Sequence, residues 1–203
     1  PDMVKSLSGQ SFDNFLDTQY YKPMGIERLT FNPSFDYPKR EIVPTEKDSL
    51  FRKTLVQGWV HDEAAALMGG VSGNAGLFSN ASSLAKLLQM LLDEGKFEGR
   101  QFLKPETVKL FTSRSYPETN NRRGLGFDKP TLGTIPAERY PSEKSAPESF
   151  GHSGFTGNLI WVDPVQRCFM VFLSNRVYPT REQKNLYRLS IRGNILDVAL
   201  QED

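Results

Sequence analysis

Two adjacent apolar segments near the C-terminus constrain the fold more than any other feature of the chain. Residues 158–162 and 167–173 are rich in β-branched and aromatic side chains, and the four residues between them begin with Asp163 and Pro164. Two such runs joined by a short turn predict an antiparallel β-hairpin. Charged side chains do not interrupt either run after Arg167, so we expect both strands to be heavily buried.

Helical patterns precede and follow this hairpin. The clearest one starts after a capping Asn80, carries a stripe of five leucines and ends at Gly95. Further helices are predicted over residues 2–7, over residues 12–20, from Pro105, and from Thr180 to the C-terminus. We expect a strand over residues 124–127 and a long irregular excursion over residues 32–57. This order indicates an α+β (mixed α/β) architecture in which helices flank an antiparallel sheet.

Composition excludes several classes of protein. The 203 residues include 25 basic and 24 acidic side chains, and their even mixing gives no basic block for a nucleic-acid partner. No apolar run approaches the roughly 20 residues of a membrane helix. A single cysteine, Cys168, provides neither a disulfide framework nor a thiolate zinc site. We therefore expect one compact domain without a metal, another cofactor or a nucleic-acid partner.

The best candidate for chemistry is the segment of residues 151–157, which leads into the first strand of the hairpin. It contains His152 followed by glycines at positions 154 and 157. A strand without side-chain bulk lets a ligand lie against its backbone, and its N–H groups can stabilise an oxyanion. The imidazole could act as an acid, a base or a hydrogen-bond donor near neutral pH. A packed turn would show the same pattern, and these residues alone leave both interpretations open.

Several motifs together resemble the serine β-lactamase and penicillin-binding-protein superfamily, in particular its class C and esterase-like branch. The resemblance covers nearly the whole chain, most closely the β-lactamase-like domains of bacterial cell-envelope proteins, some of them fused behind family 3 glycosidases. The matching segments are residues 15–25, 58–63, 70–79, 151–157, 162–164 and 172–176. The resemblance implies a β-lactamase/transpeptidase-like fold and acyl transfer to a serine from an amide or ester.

The same resemblance assigns roles around the third family motif, which is Lys or His followed by x-Gly. His152, Ser153 and Gly154 match this motif. His152 would orient or help protonate substrate groups, Gly154 would let the substrate lie close, and the N–H of Phe155 would be one oxyanion donor. Ser153 and Thr156 are further candidates for substrate binding. Asn74 is another, because relatives often carry His there, although a turn-forming Asn is the plainer account.

Other family motifs are missing. None of the seven tyrosines starts a Tyr-x-Asn motif, and the helical Ser-x-x-Lys match runs from Ser83 to Lys86. We expect both of these side chains on the solvent side of their helix and regard the match as a coincidence. The chain therefore resembles the C-terminal part of an incomplete domain, with a mainly helical part at about 1–120 and a sheet part with a C-terminal helix at about 121–203. It is expected to be inactive without an upstream nucleophile.

Alternatives remain at this point. The chain could be a non-catalytic binding or partner module attached to a glycosidase, or Ser83, Lys86 and His152 could form an unusual triad. Residues 61–63, His-Asp-Glu, have metal-ligand types, but three adjacent positions do not converge on one ion, so a turn or helix start is favoured. The resemblance implies a small-molecule or peptidoglycan-like substrate and a place in the bacterial periplasm or cell envelope. An uncovered sheet edge would favour a homo-oligomer.

Overall fold

The computed structural model describes residues 1–119, 121–131 and 140–200, and the chain divides into two compact units. The first unit comprises Pro1–Leu84 and Asn175–Gln183. The second comprises Ala85–Ser174 and Lys184–Asp203.

The first unit consists of short helices and two-stranded antiparallel sheets. Strand β1 pairs with β4 and strand β2 pairs with β3. Helix α2 continues through a π-helical turn and a 3-10 turn to Gly25, whose φ of 62° ends the helical segment. The elements of this unit are α1 (Asp2–Ser8), α2 (Phe12–Leu16), β1 (Leu29–Phe31), β2 (Glu46–Asp48), β3 (Thr54–Val56), α3 (Glu63–Leu67), β4 (Leu77–Ser79) and the start of α4 (Ala81–Leu92).

The excursion predicted over residues 32–57 is more ordered than its sequence suggests. It contains the β2–β3 hairpin, and the buried carboxylate of Asp48 accepts hydrogen bonds of 2.8–2.9 Å from the N–H groups of Leu50, Phe51 and Arg52. Strands of three residues are too short to show an alternating pattern, which is why the hairpin is not visible in the sequence.

The second unit is built around a three-stranded antiparallel sheet in the order β7-β8-β9. The predicted hairpin is confirmed as β8 and β9, and the predicted helices starting after Asn80 and at Pro105 are confirmed as α4 and α5. The elements are the rest of α4, β5 (Lys96–Phe97), β6 (Arg100–Gln101), α5 (Pro105–Thr112), β7 (Phe150–Ser153), β8 (Leu159–Asp163), β9 (Cys168–Phe172), α6 (Asn185–Arg188) and α7 (Ile191–Ala199).

Apolar side chains cover both faces of this sheet. Side chains alternate between the two faces along β8. Val162 lies on the face that packs against Leu88 and Leu92 of α4. Trp161 lies on the opposite face, which packs against Leu196 of α7. The architecture is therefore mixed α/β with helices flanking an antiparallel sheet, as the sequence predicts.

Two predicted elements differ from the structure. Residues 124–127 form a turn between two isolated bridge residues, Arg123 and Asp128, and not a strand. The expected single C-terminal helix is split into α6 and α7 at Ser190, which has a φ of 47°, and the first of them begins at Asn185 rather than at Thr180. Helix α7 contains Gly193, and close packing favours glycine there, because a Cβ at this position would lie 2.5 Å from the carbonyl oxygen of Pro141.

Candidate active site on the edge of the three-stranded sheet

Strand β7 is an edge strand, and its hydrogen-bonding pattern shows which backbone groups face outward. Gly151 exchanges two hydrogen bonds with Asp128, of 3.0 and 2.7 Å, on the side away from β8. Backbone groups alternate along a strand, so those of His152 point to β8 and those of Ser153 point outward. The N–H of Gly154 again points inward and donates to the carbonyl oxygen of Asn158 at 2.8 Å. Beyond Gly151, the outer edge of β7 pairs with no strand in the described part of the chain.

The imidazole of His152 is exposed at this edge and is not packed in the interior. Its Nδ1 lies 2.9 Å from the carbonyl oxygen of Ser153, and its Nε2 lies 3.4 Å from Nη1 of Arg123. The ring is therefore held between the strand that carries it and an arginine 29 residues earlier in the chain.

A buried carboxylate holds that arginine. Asp128 is only 2% exposed, and its Oδ1 lies 2.6 Å from Nη1 of Arg123. Its Oδ2 lies 3.2 Å from Nη1 of Arg122 and accepts a 3.2 Å hydrogen bond from the hydroxyl of Tyr140. Two guanidinium groups thus surround one carboxylate, which leaves a local excess of positive charge beside His152.

Two further ionisable groups in this unit are removed from solvent, since Lys129 is buried and Tyr140 is partly buried. Burial raises the pKa of Tyr140, and the nearby Ser153 hydroxyl opposes this rise only in part, so the phenol remains a donor to Asp128 at neutral pH. Burial lowers the pKa of Lys129 to about 8, and its Nζ donates to the carbonyl oxygen of Glu148 at 2.6 Å.

The turn after β7 contains three of the residues singled out in the sequence. Its Gly157 N–H donates to the carbonyl oxygen of Gly154 at 3.0 Å. Phe155 is 56% exposed, and its carbonyl oxygen accepts from the hydroxyl of Tyr187 at 3.3 Å. The hydroxyl of Thr156 accepts from the side chain of Asn158 at 3.2 Å, so it also stabilises the turn.

Glycine at position 154 is not required by the packing of the chain. A Cβ there would lie 3.7 Å from its nearest neighbours, which is ordinary contact distance. At Gly151, in contrast, a Cβ would lie 2.1 Å from the carbonyl oxygen of Ile160. The strand therefore has free space beside Gly154, where a ligand could approach the backbone.

Asn74 belongs to the first unit and is exposed in its glycine-rich loop. Its Oδ1 accepts from the hydroxyl of Ser72 at 2.6 Å, and its Nδ2 lies 3.5 Å from Oδ1 of Asp62. The structure thus brings His152, Ser153, Gly154, Phe155 and Thr156 together on one strand and turn, and it gives Asn74 local contacts within its own unit.

The expectation that Ser83 lies on the solvent side of its helix is wrong. Ser83 is only 7% exposed, its Oγ accepts from the N–H of Arg28 at 3.3 Å, and its own N–H donates to the capping Asn80 at 2.9 Å. The first turn of α4 packs against the chain that leads into β1, so this hydroxyl has a structural partner. Its burial gives no support to a nucleophilic role.

The residues with metal-ligand side chains at positions 61–63 have separate structural tasks. Asp62 caps helix α3 by accepting from the N–H of Ala65 at 2.8 Å. His61 lies 2.7 Å from Glu46, and Glu63 lies 3.1 Å from Arg181. Within the described residues, no group of three or more His, Cys, Asp or Glu side chains could hold a metal ion.

Comparison with known proteins identifies the family. The model of the family described as Beta-lactamase matches residues 2–192. The chain belongs to the β-lactamase family. A relative from Escherichia coli K12, whose name marks it as a provisional D-alanyl-D-alanine carboxypeptidase, is 35% identical over 193 residues. That alignment covers 86% of this chain and 42% of the relative, and a Salmonella schwarzengrund protein of the same name is 34% identical with the same coverage. This β-lactamase-family chain thus spans less than half the length of these relatives.

Solved structures support the fold assignment. A β-lactamase from Mycobacterium bovis is 18% identical, with a TM-score of 0.57, and the match covers 93% of this chain and 60% of that protein. A hydrolase with promiscuous acyltransferase activity, EstCE1, gives a TM-score of 0.60 at 16% identity over 93% of this chain and 51% of the hydrolase. The β-lactamase-family chain therefore has a β-lactamase/transpeptidase-like fold, present as part of a domain. None of the helices in the described residues is long and apolar enough to cross a membrane.

Sequence reasoning missed Arg123, Asp128 and Tyr140. The pattern Arg-Arg-Gly-Leu-Gly-Phe-Asp at residues 122–128 was the available signal, because it places two cations and a carboxylate around a glycine turn. A surface depression of about 410 Å³ is lined by residues such as Asp93 and Arg167 and does not include His152. In this family member the candidate site is the outer edge of β7, which pairs with no strand beyond Gly151 within the described residues.

Proposed function

We propose that this chain supplies the strand wall of a serine acyl hydrolase that acts by acyl transfer on an amide or ester. One observation carries the proposal: the outer edge of β7 after Gly151 presents the backbone of Ser153 and the exposed His152 next to free space at Gly154. Membership of the β-lactamase family supports the same chemistry.

The proposed division of labour follows the geometry of this edge. A substrate segment lies along β7 as an added strand, and its backbone pairs with the outward groups of Ser153. The N–H of Phe155 is one oxyanion donor, and the residue of the nucleophile supplies the other. The sequence contains no Tyr-x-Asn motif, and Ser83 of its Ser-x-x-Lys match has a structural partner. The proposal therefore assigns the nucleophile, its lysine and the tyrosine to a longer parent protein.

The names of the relatives and the local charge support a proposed substrate class. Curated relatives carry names that mark them as provisional D-alanyl-D-alanine carboxypeptidases, so a peptidoglycan-like peptide amide is our first candidate. The excess positive charge of Arg122 and Arg123 over Asp128 suits a substrate with an anionic group. We therefore propose that the protein acts in the bacterial periplasm or cell envelope, where a fused or associated glycosidase would be a partner.

The decisive experiment uses the longer reading frame that contains this chain. We expect the longer protein to hydrolyse an acyl ester or a D-alanyl-D-alanine peptide, and a serine-reactive reagent to label a serine outside these 203 residues. Replacing His152 by Gln should lower kcat/KM about 100-fold. Replacing Ser83 by Ala serves as the control and should leave turnover intact.

Other outcomes have definite meanings. Label on Ser83, or loss of turnover in Ser83→Ala with the fold retained, would overturn the proposal in favour of a nucleophile within the chain. Ligand binding without turnover or label in the longer protein would favour a non-catalytic binding module.

We also propose that the 203-residue chain self-associates through the outer edge of β9. Within the described residues this strand pairs only with β8, and its sequence from Cys168 to Phe172 carries no charge. Uncharged edge strands are templates for pairing with a second chain.

A further inference from the structure

The two contacts of the His152 imidazole determine which ring nitrogen carries the proton. Nδ1 faces the carbonyl oxygen of Ser153 at 2.9 Å, and a carbonyl can only accept, so Nδ1 must donate. Nε2 faces the guanidinium of Arg123 at 3.4 Å, and a guanidinium can only donate, so Nε2 must accept. Only the neutral ring with its proton on Nδ1 satisfies both neighbours.

The arginine that faces Nε2 is itself held in place. Nη1 of Arg123 lies 2.6 Å from the buried Oδ1 of Asp128. The backbone N–H of Arg123 donates to the side chain of Asn121 at 3.0 Å. Asp128 is bound to the backbone of Gly151, the residue immediately before His152, by two hydrogen bonds. Asp128, which anchors Arg123, is therefore attached to β7 at Gly151. His152, whose ring Arg123 contacts, is the next residue of the same strand.

We infer that Arg123 is a positioning residue, anchored by Asp128, which holds the His152 ring as its Nδ1–H tautomer. In this state the ring offers a lone pair at Nε2 and no proton, and the donor beside the edge of β7 is the half-exposed guanidinium of Arg123. This assigns hydrogen-bond donation at the third motif to the arginine rather than to the imidazole. The inference concerns the chain itself and does not depend on the proposed acyl transfer.

The test uses nuclear magnetic resonance of the 15N-labelled 203-residue chain. The chain has only two histidines, so His152→Gln assigns the signals of both. Long-range proton–nitrogen correlations distinguish a protonated ring nitrogen from a bare one at a pH about two units above the ordinary imidazole pKa of about 6.5. We expect Nδ1 of His152 to be protonated and Nε2 to be bare.

Replacement of Arg123 by Leu removes the donor to Nε2. We expect the ratio of Nδ1–H to Nε2–H tautomer to fall about fivefold, the effect of one ordinary hydrogen bond. Arg122→Leu is the matched control, because it removes an ion pair with Asp128 but no contact with the ring. It should leave the ratio unchanged, and the backbone amide spectrum checks that both variants are folded.

Two results would overturn the inference. One is a His152 ring protonated at Nε2 in the unmodified chain. The other is a folded Arg123→Leu variant whose tautomer ratio equals that of Arg122→Leu, because Arg123 would then not influence the ring.

Discussion

Two glycines at the same strand end have opposite structural roles, and this difference can be measured. A methyl group at Gly151 would clash with the backbone of Ile160 and with the ring of Trp161, whereas a methyl group at Gly154 would make ordinary contacts. We predict that Gly151→Ala lowers the free energy of unfolding by about 2–3 kcal/mol through overpacking. Gly154→Ala should change it by less than about 1 kcal/mol.

Urea unfolding of the two variants is the measurement, and each variant is the control for the other. Equal destabilisation would show that position 154 is packed as tightly as position 151, and the free space beside the strand would then not exist. In the longer parent protein, Gly154→Ala should reduce turnover despite its normal stability, because the methyl group would occupy the space assigned to substrate.

Single residues also show how far the sequence reveals the candidate site. His152 and Gly154 could be found because the motif is contiguous and its resemblance is specific. The pattern around Arg123 and Asp128 is visible in the sequence, but their contact with β7 is not, because it joins Arg123 to a residue 29 positions later through the bridge between Asp128 and Gly151. Contacts of that kind leave no periodic pattern in a single sequence.

At the scale of elements, an ion cluster fixes residues 175–183 to strand β2. Glu46 accepts three hydrogen bonds from the guanidinium of Arg181 and one from the backbone N–H of Arg181, and His61 adds a contact of 2.7 Å. Burial alone would raise the pKa of Glu46, but these hydrogen bonds outweigh it and lower the pKa to about 2.

The sign of the effect on stability follows from that direction. The folded-state pKa lies below the ordinary value of 4.5, so the stabilisation is complete above about pH 4.5 and is lost as the pH falls towards about 2. We predict that Glu46→Gln lowers the free energy of unfolding by about 3 kcal/mol at neutral pH, since it leaves Arg181 without its buried partner. The variant should also lose less stability than the unmodified chain on acidification.

Urea titrations across this pH range test the prediction. Glu41→Gln is the control, because its ion pair with Arg28 is partly exposed and such pairs contribute about 0–1 kcal/mol. Parallel stability curves for Glu46→Gln and the unmodified chain below pH 4.5 would contradict the assignment.

The elements that the sequence predicted correctly are those marked by an apolar stripe longer than one helical turn or by a continuous β-branched and aromatic run of about five residues. Helix α4 and the β8–β9 hairpin meet this condition. The β2–β3 hairpin does not, because its strands have three residues. The C-terminal helix differs from its prediction because the chain leaves the helical conformation at Ser190, and the apolar pattern of the sequence does not mark this break.

At the scale of the whole molecule, strand β9 is covered on its faces but open at its edge. Phe169 and Val171 pack against the α4 side of the sheet, and Met170 packs on the α7 side. Backbone groups alternate in direction along β8. Because those of Ile160 and Val162 hydrogen-bond to β7, those of Trp161 point to β9 and hydrogen-bond to Met170. The N–H and C=O groups of Phe169 and Val171 therefore point outward, where the described chain provides no strand.

This geometry predicts a substitution that separates edge pairing from core packing. Val171→Pro removes an outward N–H without removing a hydrogen bond to β8, so we expect it to abolish self-association of the 203-residue chain. Val171→Ala is the matched control, because it loses similar packing but keeps the N–H, and it should still associate. Sedimentation velocity from micromolar to submillimolar protein measures the oligomeric state of all three. A monomeric unmodified chain over this range, or a Val171→Pro variant that associates as strongly as Val171→Ala, would mean that the edge of β9 is not the interface.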